Sequence, residues 1–230
     1  MKQRMIIVAA MAILGLTGCS DVPVTTVKKT VLSQYDSSVS LGKVLDTYSS
    51  CQPNTAQWRE IKTERGQSFV QFSCVDTQFP TFMQKQVRVF LDVFRKHPIV
   101  PESAVKDIDA FVNWAEWMVE FGRVLFGKMG MKIADPEVDK LKSIDITEAT
   151  FVVKFAKNLT TEKYEFNRVG YDVTYRDARI AEVSLPSFVL EACYRNEPVM
   201  KIIESKNEDI SSYLIDGYKR AKAVEKPEKK

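Results

Sequence analysis

Trp58-Arg-Glu-Ile-Lys-Thr-Glu-Arg-Gly-Gln-Ser-Phe-Val-Gln-Phe-Ser-Cys-Val75 contains two β-prone runs joined by Glu64-Arg65-Gly66-Gln67. In the second run Val70, Phe72 and Cys74 fall on one side, and Phe69, Gln71 and Ser73 on the other. That period of two marks a strand with one apolar face, and a glycine-bearing connection makes the pair a hairpin. Downstream the pattern returns. Residues 146–156 alternate Phe151, Val153 and Phe155 with Val152 and Lys154, residues 164–175 carry Phe166, Val169, Tyr171 and Val173, and 178–183 read as a further short strand.

Helical stripes lie between and around these hairpins. Ser40 is a good N-cap for a helix with Leu41, Val44, Leu45 and Tyr48 on one face, stopped at Cys51-Gln52-Pro53. Residues 82–96 fit a helix through Met83, Val87, Phe90, Leu91 and Phe94, and a strand through Val87, Val89, Leu91 and Val93. A helix is expected at the start of that stretch, broken by His97-Pro98. Residues 101–130 read as the longest helix, with Asp109, Asn113, Glu116, Glu120 and Arg123 in one narrow polar band and apolar residues over most of the rest. A polar connection is expected at 135–139, then helices over 186–195 and from Val199 to about Arg220. Segregated hairpins and helices predict an α+β fold, with antiparallel hairpins packed around one long central helix and helices at the C-terminus.

The amino terminus carries a different message. Lys2 and Arg4 precede the apolar run Met5 to Leu14, the charge and hydrophobic order of a secretory signal. The run is short of the ~20 apolar residues that cross a bilayer. Leu16-Thr17-Gly18-Cys19 follows and resembles the lipobox of bacterial lipoprotein precursors. The resemblance implies that residues 1–18 are a removed signal peptide and that the Cys19 thiol carries lipid, with palmitate among its acyl chains. It implies attachment to the cell envelope facing the periplasm; Ser20 rather than Asp after the cysteine favours the outer membrane. The resemblance covers only the first 20 or so residues. Residues 19–37 then read as a lipid-anchored tether, 38–217 as one globular domain, and 218–230 as a basic disordered tail.

Charge and cysteine count narrow the function. The formal net charge is +3, and two of the positive side chains lie in the signal segment. From Tyr218 onward six Lys or Arg face only Glu225 and Glu228, so the remaining body is mildly acidic and lacks the basic face of a nucleic-acid binder. Beyond Cys19, an exported chain is free to pair Cys51, Cys74 and Cys193. Cys51–Cys74 is expected, because the apolar face of the hairpin packs toward the preceding helix; Cys74–Cys193 and Cys51–Cys193 are the rivals. Cys193 is then a small buried apolar side chain.

Catalytic chemistry finds little footing. The single histidine, His97, sits between Lys96 and Pro98 at a loop end, and no zinc, nucleophile-elbow or phosphate-loop motif is present. No catalytic residue, metal or cofactor is expected. Glu116 and Glu120 lie one turn apart on the polar band, a spacing able to share a proton; a solvated face with Arg123 pairing Glu120 is the simpler reading. Trp114, Trp117, Phe121 and Phe126 form a candidate partner- or ligand-facing patch, because a helix with so few polar positions must be central or lend one side to something else. The expectation is a non-enzymatic accessory or binding lipoprotein that docks another envelope component. The alternatives are a periplasmic carrier of an apolar ligand, using the aromatics of 111–126, and a carboxylate-based envelope hydrolase.

Overall fold

The computed structural model describes residues 22–96, 99–127 and 136–224. The signal segment, Cys19 and His97 therefore lie outside the described residues. The strands are β1 (Gln57–Lys62), β2 (Ser68–Val75), β3 (Ile146–Lys157), β4 (Tyr164–Tyr175) and β5 (Ile180–Leu185). The helices are α1 (Val22–Lys29), α2 (Leu41–Asp46), α3 (Gln78–Phe94), α4 (Ile108–Gly127), α5 (Pro136–Ile144), α6 (Leu190–Arg195), α7 (Val199–Ser205) and α8 (Ile210–Val224). The chain is α+β, with one antiparallel sheet ordered β1-β2-β3-β4-β5 and α3, α4 and α5 inserted between β2 and β3.

Both hairpins follow their sequence patterns. Gly66 takes a left-handed φ of 78° in the β1–β2 turn, where a side chain would be strained. Val70, Phe72 and Cys74 are all buried on the helix-covered face, in register with Phe155, Val153 and Phe151 of β3. Tyr171, Val173 and Tyr175 continue that face on β4, and Ala181 and Val183 on β5. The opposite face carries a cross-strand row of Arg59, Gln71, Lys154 and Arg168. Glu182 ties the row together, 2.8 Å from Lys154 Nζ and 3.0 Å from Arg168 Nη1. Although burial works against its charge, those two cations hold the Glu182 carboxyl below its ordinary value.

Helices close the other face. α8 packs on β5 and α5, α3 packs on β3, and Phe79 of α3 stacks on Tyr171 with ring centroids 4.1 Å apart. The disulfide joins Cys51, in the loop after α2, to Cys74 of β2, with Cα atoms 5.4 Å apart. Cys193 is buried and unpaired, and burial pushes its thiol well above the ordinary value.

Several boundaries differ from the sequence reading. Residues 22–29 of the expected tether form α1 instead, because Val27 is fully buried and Lys28 pairs with Asp46 at 2.6 Å while lying over the Trp58 ring. Gly42 of α2 makes that seat possible: a Cβ there would stand 2.7 Å from Lys28 Cβ. The stretch 82–96 is helical as far as Phe94, with Arg95 and Lys96 in a turn, and the helix begins earlier, at Gln78, because Asp76 Oδ1 accepts from the amides of Gln78 (2.9 Å) and Phe79 (3.1 Å). Of the polar connection expected at 135–139, residue 135 lies outside the described residues and 136–139 belong to α5, whose Val138, Leu141 and Ile144 are buried; Pro136 opens a helix here rather than breaking one.

The last helical stretch divides. Asn207 adopts φ 58° and stops α7, and Asp209 Oδ1 accepts from Ser211 N at 2.9 Å to start α8. α8 then runs to Val224, so the tail expected from 218 starts too early. Tyr218 is buried, its hydroxyl donates to Asp177 Oδ2 at 2.9 Å, and Leu214, Gly217, Tyr218 and Ala221 continue a packed stripe. The long helix is not central. It rests on α3 and α5 at the side of the sheet, and a separate 3-10 turn, Glu102–Val105, precedes it. Arg95 takes the Val105 carbonyl through Nε (3.2 Å) and Nη2 (3.0 Å), and Asp107 Oδ1 caps Ala110 N at 2.8 Å. Those side chains use the groups that would have joined the two segments.

Candidate functional site

Three sides of α4 have three different fates. Its inner side buries Ile108, Phe111, Ala115 and Gly122. Phe111 meets the rings of Phe94 (5.3 Å between centroids), Phe90 (6.2 Å) and Trp114 (5.6 Å). The polar band is tied down next: Glu116 pairs with Lys142 of α5, and Asp109 lies 3.4 Å from Arg176 just beyond β4. Glu120 pairs with Arg123 at 3.6 Å, the i,i+3 bridge that the spacing predicts. With two sides anchored, the helix cannot roll to hide the third. That third side is apolar and open.

Trp117 is 61% exposed, Phe121 51%, Val124 56% and Leu125 47%. Trp117 and Phe121 stack on each other, 5.5 Å between centroids and 14° between planes. Of the four aromatics singled out in the sequence, these two stand on the open face. Trp114 is half-buried beside Phe111 and joins that face to the core, whereas Phe126 is half-buried and lies one helical turn from Gly122 on the inner side. Met118, Val124 and Leu125 complete the patch; their recurrence at three and four residues from Trp114, Trp117 and Phe121 is the signal that finds them. Monomeric proteins rarely leave contiguous apolar surface of this kind bare.

The Glu116 and Glu120 carboxylates do not form a shared-proton pair, since each is engaged by its own cation. The aromatics of 111–126 likewise pack inward or lie open on the surface. Among the described residues no group of His, Cys, Asp and Glu is arranged to hold a metal, and no helix is long and apolar enough to cross a membrane.

Two clefts flank α3, and the sequence reading passed over both. The first, about 640 Å³, lies between the first turns of α3 and the start of α7. Its floor is the pair Asp76–Tyr171, in which the phenol donates to Asp76 Oδ2 at 2.7 Å. Both side chains are buried, and burial pushes the Asp76 carboxyl and the Tyr171 phenol above their ordinary values. The second, about 460 Å³, is lined by polar groups that include Asp92, Arg95, Asp145 and Arg176. Its charges are largely matched: Arg95 binds Asp92 at 2.8 Å, and Arg176 Nε binds Asp145 Oδ2. Asp76 had a readable signal, an acidic residue just before Gln78-Phe79-Pro80 in the position that caps a helix start. Asp145 and Arg176 lie too far apart in sequence to be paired by spacing.

Comparison with models of known families, with curated proteins and with solved structures finds no match for this chain.

Proposed function

We propose that this chain is a bacterial lipoprotein, anchored by lipid on Cys19 and facing the periplasm, with the outer membrane the favoured site. Its body acts as a non-enzymatic accessory subunit that docks another envelope component through the open side of α4. The exposed Trp117–Phe121 stack with Val124 and Leu125 beside it supports this reading. Rigid aromatics of this kind carry most of the energy in protein interfaces, and burying apolar surface contributes ~25 cal/mol per Å².

A photocrosslinking residue placed at 121 in the anchored chain, in intact cells, tests it. The expected result is a discrete adduct that is lost with Trp117→Ala and does not form from position 172 on the opposite face of the sheet. Adducts that are absent, or the same from both positions, would remove the docking role. Cys19→Ser is expected to release the protein from the membrane fraction, and continued sedimentation with membranes would remove the anchor.

A further inference from the structure

The geometry points to the cleft between α3 and α7 as a binding site for an amphiphilic anion, a molecule with an apolar chain and a carboxylate or phosphate head. This site is separate from the docking side of α4 and does not depend on it. At about 640 Å³ the cleft is within the range of small-molecule sites, ~300–1,000 Å³. Phe79, Phe82, Val199 and Met200 give it apolar walls. Lys85 and Arg88, one turn apart on exposed positions of α3, line it on the same side, and neither meets a carboxylate among the described residues.

Gln84 and Arg88 line both clefts and Lys85 lines the apolar one alone, so charge matching among the remaining side chains is what separates the two. In the polar cleft Asp92 and Asp145 answer Arg95 and Arg176. In the apolar cleft Asp76 is the one lining carboxylate among the described residues, and its oxygens are already engaged. Oδ1 accepts from the amides of Gln78 and Phe79, and Oδ2 accepts from Tyr171. Asp76 is therefore held on the floor and does not reach up to neutralise Lys85 or Arg88. An apolar chain is accommodated by the walls, and an anionic head satisfies the two cations that meet no carboxylate among the described residues. A free anion without a chain gains only screened surface charge contacts, and a cationic amphiphile places its head against like charge.

The test is calorimetric titration of the soluble chain 20–230, whose described fold begins at Val22. The background is Trp117→Ala/Phe121→Ala, so that the apolar side of α4 contributes nothing. Dodecyl phosphate and dodecanoate, each below its micellar concentration, are compared with inorganic phosphate and dodecyltrimethylammonium. One-to-one binding of at least one of the two anionic amphiphiles is expected, at least tenfold tighter than either control. The preferred head distinguishes phosphate from carboxylate. Lys85→Ala/Arg88→Ala is expected to weaken that binding at least tenfold, and Thr81→Trp, which fills the cleft from an exposed position, to do the same, with melting curves confirming that both variants fold. No binding by either anionic amphiphile, equal affinity for the cationic amphiphile or for bare phosphate, or binding unchanged in either folded variant overturns the proposal.

Discussion

Asp76 is buried, and that burial opposes its charge, while two amides and the Tyr171 hydroxyl favour it. Burial prevails, so the folded carboxyl holds its proton at a higher pH than the unfolded one. Protonation then stabilises the fold fully below the unfolded value, and this contribution is lost as pH rises through the unfolded value toward the folded one. Asp76→Asn keeps an acceptor for the amides and removes the titration. Melts at pH 4, 5, 6 and 7 are expected to show the variant gaining on the parent as pH rises; a difference that stays constant or shrinks contradicts this account. The difference between the two proteins is the useful quantity, because Asp145 is also raised by burial and is common to both. At this scale the sequence was legible where chemistry is local: Ser40 accepts from Lys43 N, and Glu120 finds Arg123 three residues on. Tyr171 and Asp76 are 95 positions apart, and only the assembled sheet brings them together.

At the scale of elements, α4 is one helix with residues of equal hydrophobicity in unequal roles. Phe111 is buried among Phe90, Phe94 and Trp114, whereas Trp117 is held outside by the ion pairs on the polar band. Phe111→Ala is therefore expected to cost ~3–5 kcal/mol, the range for emptying a buried aromatic site. Trp117→Ala should stay within ~0.5 kcal/mol, as for surface positions. Urea unfolding of the two variants checks the contrast, and equal costs would show that Trp117 is a core residue. Periodicity revealed the surplus of apolar positions on this helix but not which half of them the body would use. That choice is made by Lys142 of α5 and Arg176 in the turn after β4, both outside this helix. The same limit made 82–96 ambiguous, since Val87 and Leu91 serve a strand and a helix alike; the cap from Asp76 and the burial of Met83, Val87 and Leu91 decide for the helix.

Over the whole molecule, the strands were the most legible part, because alternation is set by a pleat that needs no knowledge of partners. Elements that open or close at a single residue were the least legible, as with Pro136 before α5 and Asn207 between α7 and α8. The disulfide unites these scales. It fastens the loop after α2 to β2 across a sequence separation of 23, beside the strand end from which Asp76 starts α3. Cys51→Ala/Cys74→Ala is expected to lower stability by ~3 kcal/mol, measured by urea unfolding of the oxidised parent against the variant. A loss that persists against the reduced parent would instead point to damaged packing.

The packing of α1 also sets a distance. If acyl chains are borne at position 19, only three residue steps separate them from Val22, where the helix begins. A fully extended backbone covers about 10 Å in three steps. The body would then ride against the lipid headgroups instead of ranging through the periplasm, and anything it recruits would have to present itself at the bilayer surface.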